Sequence, residues 1–530
     1  MTITGKNHIG SSLTGDTDDT FYAINPSTGQ QLDGKFYSAN DSDIDNAVNL
    51  ATKAFEIYTG IDKDKKADFL EKISDEIEAL GDALIERAML ESGLPQARLT
   101  GERGRTVNQL KMFAALVREG SWVEAAIDTA IPDRSPVPKP DLRKMMVPLG
   151  TVVVFGASNF PLAFSTAGGD TASAFAGGNP VIVKAHNSHP GTSELIASAI
   201  INAANSSGMP EGIFSHVQDN GFHAGNQLVS HPGVKAVGFT GSFSGGKALY
   251  SRAQKRETPI PMFAEMGSVN PVLLLPGVVE ANPVRMAEQY AGSITLGAGQ
   301  FCTNPGLLIG LNSEALQHFA DALGNAISDS KASVMLNKGI FENFRNRKAQ
   351  MLEQYGIETI SDTQDDNPDI NAGSPVVAAV KASSFIANPT LHEEVFGPWS
   401  LLVRCNDKDE MTEVVKNIAG QLTITVMATE SDLQEFSALI HLLREKAGRL
   451  ILNGVPTGVE VCPSMQHGGP YPATTDIRFT SVGTAAIKRF VRPLSFQDWP
   501  ETLLPPELHN DNPMDIWRLV NGRFTKDKIA

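Results

Sequence analysis

Apolar positions in the first part of this chain recur at helical spacing, and further on they gather into short runs. Ile44, Val48, Ala51 and Phe55 repeat every three or four residues after Ser42, an N-cap candidate, and predict a helix. Further helical patterns cover about 65–92 and 102–117. The stretch from Ile131 to Pro140 breaks the pattern. Four prolines in nine positions forbid a helix there and suit an extended arm or linker.

From Val147 onward the pattern alternates between strand and helix. Strand-like runs fall at 151–155, 181–184, 214–217, 236–239 and 262–264, with helical stretches near 162–175, 193–204, 224–230 and 245–253. Such alternation predicts right-handed βαβ units and a parallel sheet, with ligands beyond the carboxyl ends of its strands. A second α/β region runs from about 268 to 455, with strands at 307–310, 401–405, 422–428 and 450–453 and helices near 315–328 and 409–418. The tail returns to extended character at 490–496 and is then punctuated by Pro500, Pro505 and Pro506. A β-rich tail and a proline-rich arm fit subunit contacts or surface loops equally well.

Length changes the picture only by allowing two or three domains with a large core. The segment Met1 to Asp16 has no apolar core of a signal peptide, and no apolar run is long enough to span a bilayer. With only three cysteines a disulfide framework is excluded, and a reducing cytoplasm is the expected location. A net charge of −16 argues against nucleic acid, which wants a basic face. No membrane partner and no resident metal are expected.

Candidate chemistry lies at strand ends and turns. Gly156-Ala157-Ser158-Asn159-Phe160-Pro161 follows the 151–155 run. Asn159 there is either an N-cap or turn former, or a side-chain amide free to stabilise an oxyanion, with Pro161 opening a helix. Lys184 ends a buried strand, either snorkelling to solvent or reaching an adenosine ribose or its 2′-phosphate. Thr240-Gly241-Ser242 forms a turn that opens a helix, either a plain corner or a phosphate cradle. Glu265 follows an apolar strand, where burial would raise its pKa and suit it to general-base work. Glu393-Glu394-Val395-Phe396-Gly397-Pro398 is either a loop or a binder of a sugar and a flat ring. Cys302, in Gly299-Gln300-Phe301-Cys302-Thr303-Asn304-Pro305, is either a packed thiol or a nucleophile.

Each signal is weak alone, but together and in this order, from about Phe21 to Pro493, they resemble the NAD(P)-dependent aldehyde dehydrogenase superfamily. The resemblance implies an α/β fold with a Rossmann-type cofactor domain (20–131 and 151–267), an α/β catalytic domain (268–455) and a β-rich oligomerisation arm (132–150 and 480–500). A return segment (456–479) and a C-terminal extension (501–530) complete the plan. It implies Cys302 as nucleophile, Glu265 as base and Asn159 as oxyanion donor. It also implies Lys184 and His186 toward the adenosine ribose, Gly241 and Ser242 at the pyrophosphate, and Glu394 and Phe396 at the nicotinamide end. A homodimer or homotetramer acting on a small aldehyde follows.

The chain also departs from the common pattern. Asn187 stands where a glutamate is usual, which favours NADP over NAD because a carboxylate repels a 2′-phosphate. Ala167-Gly168 replaces a tryptophan–lysine pair tied to proton relay. With the runs 156–165, 264–268, 299–306 and 467–475, these departures look like the NADP-dependent 2,5-dioxovalerate (α-ketoglutaric semialdehyde) dehydrogenases, and long-chain fatty aldehyde dehydrogenases are similar too. The distal acid of a dioxo substrate needs cations. Arg103, Arg105 and Lys111 on the 102–117 helix are candidates, with Phe164 and Thr303 lining the pocket. Acyl transfer to coenzyme A and a non-catalytic binding role are the readings from other classes.

Overall fold

The structure, a computed structural model, describes residues 2–15 and 17–529, so the outer ends of the Met1–Asp16 segment and of the 501–530 extension lie outside the described residues. Five parallel strands form the heart of the first sheet, in the order Met262–Glu265, Ala236–Thr240, Val152–Phe155, Val181–Lys184, Phe214–Val217. Val152–Phe155 is buried along its whole length, which is why its sequence is a continuous apolar run without alternation. The strand order reverses between Val152–Phe155 and Ala236–Thr240, and a crevice opens there beyond the carboxyl ends. Asn7–Ile9 and Ser12–Thr14 add two antiparallel strands at the far edge, so the first domain begins before residue 20, the expected boundary.

Helix boundaries differ from the sequence expectation for identifiable reasons. Helix Asp41–Tyr58 is capped by Asn40, not Ser42, because Asn40 and Asp43 exchange bonds in a capping box. The 65–92 pattern is two helices, Lys63–Ala79 and Gly81–Ser92, broken where Gly81 takes a φ of +56°. The 162–175 pattern is helical only over Gly169–Ala176. Residues 161–168 form turns, so Pro161 does not open a helix, and the buried Glu102 carboxylate accepts the N–H groups of Leu162 (2.8 Å) and Ala163 (2.9 Å) there.

The second sheet has seven strands in the order Glu358–Asp362, Val376–Lys381, Trp399–Cys405, Leu307–Leu311, Val272–Leu274, Gln421–Met427, Ala447–Leu452. All are parallel except Glu358–Asp362. A third, five-stranded sheet joins Val491–Gln497, Leu142–Pro148, Ala126–Asp128, Arg518–Val520 and Arg523–Thr525. The expected arm is therefore larger than 132–150 and 480–500. Ala126–Asp128 leaves the first domain to join it, and the expected C-terminal extension supplies two short strands to the same sheet, Arg518–Val520 and Arg523–Thr525. Among the described residues no helix is long and apolar enough to cross a membrane.

Candidate active site

Cys302 lies on a turn between helix Pro283–Thr295 and strand Leu307–Leu311, where the second sheet meets the carboxyl edge of the first. Gly297, Ala298 and Gly299 all have positive φ, +56°, +56° and +64°. A Cβ on Gly299 would stand 2.2 Å from the Gly397 carbonyl oxygen, so only glycine permits this approach. Asn270 fixes the turn from below, its Nδ2 donating to the carbonyls of Cys302 and Asn304 at 2.9 Å each. The thiol is half-buried and free of any disulfide. Cys405 is buried, as its strand predicts, whereas Cys462 is half-buried.

Glu265 ends its strand against this turn, buried at 4% exposure. His467 Nε2 lies 3.1 Å from Glu265 Oε1 and 3.5 Å from Cys302 Sγ, and Ser481 donates its hydroxyl to Glu265 Oε2 at 2.9 Å. Burial pushes the Glu265 carboxyl up, but the His467 imidazole and the Ser481 hydroxyl outweigh it and hold the carboxyl below its usual range. This corrects the raised pKa expected from burial alone. Burial, with the Glu265 charge beside it, pushes the Cys302 thiol well up.

Asn159 is neither a helix cap nor a simple turn former. One N–H of its amide donates to the Gln300 carbonyl at 3.0 Å, which directs the group at the cysteine turn and leaves the second N–H to donate elsewhere. Helix Gln96–Glu119 positions this loop: Arg98 donates to the Asn159 carbonyl at 2.9 Å and stacks between Phe160 and Phe301, and Glu102 holds the next turn.

Of the cations expected at the substrate end, only Arg105 faces the site. Its guanidinium lies over Phe164, 5.1 Å from the ring centroid, within electrostatic reach of Cys302, Glu265 and Glu460. Its Nε and Nη2 are buried without partners. Phe164 in turn stands beside His467, 6.2 Å between ring centroids. Arg103 is two residues away, about 200° around the helix, and donates to the Gly81 carbonyl at 2.7 Å on the other side. Lys111 pairs with Glu78 at 3.6 Å. Thr303 is buried at 1% exposure and offers the pocket no open face.

The cofactor candidates gather around the crevice. Lys184 ends its strand beside Phe155 and donates to the Asp219 carbonyl at 3.2 Å, its pKa lowered by burial. His186 is kept neutral by burial, with its neighbours His189 and Lys184 adding to the effect, and its Nδ1 accepts from Ser188. Asn187 is exposed and donates to the Asn220 carbonyl at 3.3 Å. Ser242 caps helix Phe243–Gln254, whose N-terminal N–H groups open toward the crevice just after Gly241. Glu394 lies against the Gly267–Ser268 turn. Burial pushes its carboxyl up to about 7, Ser268 N–H opposing and the Glu265 charge adding. Glu394, Phe396, Phe301 and Ser268 line one cleft.

Sequence reasoning missed His467, Ser481, Arg98 and Glu102. His467 stands in the 467–475 run that marked the subgroup resemblance, but no local pattern gives it a role. It is a buried histidine whose partners are 165 and 202 residues away.

A thiol, a buried carboxylate and an amide donor thus meet where two α/β domains face each other. The Aldehyde dehydrogenase family profile matches residues 13–471, and the chain belongs to that family. Within it, the chain is 49% identical over 524 residues to Alpha-ketoglutaric semialdehyde dehydrogenase 2 of Azospirillum brasilense, covering 99% of this chain and 100% of that protein. Against the Alpha-ketoglutaric semialdehyde dehydrogenase of Acinetobacter baylyi it is 44% identical, covering 99% of both. The fold matches the solved gamma-glutamyl-gamma-aminobutyraldehyde dehydrogenase of Burkholderia cenocepacia with a TM-score of 0.79 at 20% identity, over 94% of this chain and 97% of that one.

Proposed function

We propose that this aldehyde dehydrogenase oxidises 2,5-dioxovalerate to 2-oxoglutarate and prefers NADP as oxidant. Whole-length identity to two α-ketoglutaric semialdehyde dehydrogenases supports the substrate class. The observation that carries it in the geometry is Arg105, a buried guanidinium with unpartnered donors beside Cys302. Unpaired buried donors are costly, and the carboxylate of a dioxo acid supplies what they lack. A plain alkanal does not.

The thiol proton passes from Cys302 to the His467–Glu265 pair as sulfur adds to the aldehyde carbon. The new oxyanion takes hydrogen bonds from the free Asn159 N–H and from the Cys302 backbone N–H. A bound oxidised nicotinamide would supply the hydride acceptor, and Cys302 would then hold the acyl group as a thioester. Once the first proton has passed to solvent, Glu265 takes a proton from water as it attacks the thioester and returns it to the departing sulfur, while the product acid loses its own proton to solvent and leaves as the carboxylate. A water-activating base favours hydrolysis over transfer to coenzyme A. For the cofactor, helix Phe243–Gln254 would receive the pyrophosphate and Glu394 a ribose. Lys184, with no carboxylate at Asn187 to oppose it, would receive the 2′-phosphate. The exposed apolar side chains Trp499, Leu503, Trp517 and Phe524, on and beside the third sheet, fit a homo-oligomer contact.

The test is a panel of aldehydes with NADP and NAD. NADPH formation with 2,5-dioxovalerate is expected. Arg105→Gln should lower kcat/KM for it by about 10- to 150-fold, from ~1.5–3 kcal/mol per charged hydrogen bond, and spare hexanal. No turnover of 2,5-dioxovalerate beside good turnover of long alkanals would sink the proposal, and an acyl-CoA product would move the enzyme to another class.

A further inference from the structure

We infer that Cys302, His467 and Glu265 also form a binding site for a thiophilic divalent cation, with zinc the best fit, and that the bound ion switches the nucleophile off reversibly. The binding itself does not depend on the substrate assignment; the inhibition rests on the proposed role of Cys302. The three residues come from three separate segments, and one ligand atom from each lies within 4.8 Å of the other two. No spacing in the sequence announces this set.

The distances suit a tetrahedral ion. With zinc–sulfur near 2.3 Å and zinc–nitrogen and zinc–oxygen near 2.0–2.1 Å, a tetrahedron has sulfur–nitrogen edges of about 3.5 Å and nitrogen–oxygen edges of about 3.3 Å. The corresponding separations here are 3.5 Å for Cys302 Sγ to His467 Nε2 and 3.1 Å for His467 Nε2 to Glu265 Oε1. A thiolate, an imidazole and a carboxylate are a zinc-class donor set, unlike the all-oxygen sets of magnesium or calcium.

The ligands are also held in place. Ser481 donates to the second Glu265 oxygen, Thr480 accepts the His467 backbone N–H at 2.8 Å, and Asn270 grips the Cys302 carbonyl. Three protein ligands leave the fourth position of a tetrahedral ion to water. On binding, a sulfur–metal bond forms, the thiol proton goes to solvent, and no electron is transferred. The thiolate and the Glu265 carboxylate then balance the charge of the ion. Two features keep the site weaker than a structural one: His467 Nδ1 has no partner to orient the ring, and the Arg105 charge lies close by. The ion is therefore a removable inhibitor, in competition with aldehyde for the same sulfur.

Cobalt(II) titration of the reduced, metal-free full chain tests this without relying on turnover. One equivalent should bind with a thiolate-to-cobalt charge-transfer band and the intense visible bands of a tetrahedral ion, and zinc should displace it. Cys302→Ser should abolish the charge-transfer band, His467→Gln should weaken binding by about 10-fold or more, and Cys462→Ser should change neither. Should a variant fail to fold, bound zinc should still slow alkylation of Cys302 in the unmodified protein, and a chelator should restore it. A charge-transfer band that survives Cys302→Ser, undiminished binding in His467→Gln, or no tetrahedral spectrum would overturn the site. Tetrahedral cobalt in a protein inactive on every aldehyde would uphold the site and remove the oxidation reading alone.

Discussion

His467→Gln tests the link between the thiol and its base most directly. In the intact site His467 Nε2 is within reach of both the Glu265 carboxylate and the Cys302 sulfur, 3.1 Å and 3.5 Å away. A hydrogen bond to a charged group contributes about 1.5–3 kcal/mol, and a tenfold change in rate corresponds to about 1.4 kcal/mol. Loss of that interaction as the thiolate forms should therefore slow acylation roughly 10- to 150-fold. Without the imidazole, the burial of Glu265 is no longer outweighed, so its carboxyl pKa should rise. The acid limb of the pH–rate profile, where the base is lost as pH falls, should move upward with it. Single-turnover reduction of cofactor reads acylation, and iodoacetamide alkylation across pH reads thiolate availability. Both should fall together while the cofactor Kd stays unchanged. An unaltered alkylation rate with an unshifted pH profile would refute the coupling.

Three further outcomes follow from the surrounding geometry. Glu102→Ala strands two buried N–H groups at about 1–3 kcal/mol each; it should lower the thermal midpoint, and Glu102→Gln, which keeps a carbonyl oxygen, should recover most of the loss. Glu394, held near 7, is neutral below that pH and ionised above it; cofactor affinity measured by fluorescence titration should therefore strengthen as pH rises through 7, and Glu394→Gln should flatten the profile. Lys184→Ala should weaken NADP more than NAD, and equal losses would remove the 2′-phosphate argument.

The parallel strands were legible because burial on both faces leaves unbroken apolar runs. Val181–Lys184 and Phe214–Val217 match their expected limits. Asn7–Ile9 was not legible, because its three residues carry no strand pattern of their own; it pairs with Ser12–Thr14 in a short hairpin and joins the sheet at one position, His8 with the distant His216. At 162–168 the chain makes turns instead of the helix its pattern suggests, with the Leu162 and Ala163 N–H groups bonded to Glu102 of a distant helix that no local pattern reveals. That Cys302, Glu265 and Asn159 belong to one site was suggested by motif order, yet the ionisation of Glu265 was not, since His467 is 202 residues away. Arg103 and Arg105 look equivalent in sequence; only the rotation of their helix against Phe164 separates a structural cation from a site cation.

The third sheet has a consequence for how the chain is made. Strand Arg518–Val520 lies parallel to Ala126–Asp128, and Asn521 bonds Thr129 across 392 residues of sequence. Arg518 is fully buried, donating to the carbonyls of His509 and Asp527. On a ribosome, both large sheets can be complete while this third one still waits for its last two strands. A subunit contact built on that sheet would therefore be withheld from nascent chains and granted only once Arg523–Thr525 has left the ribosome.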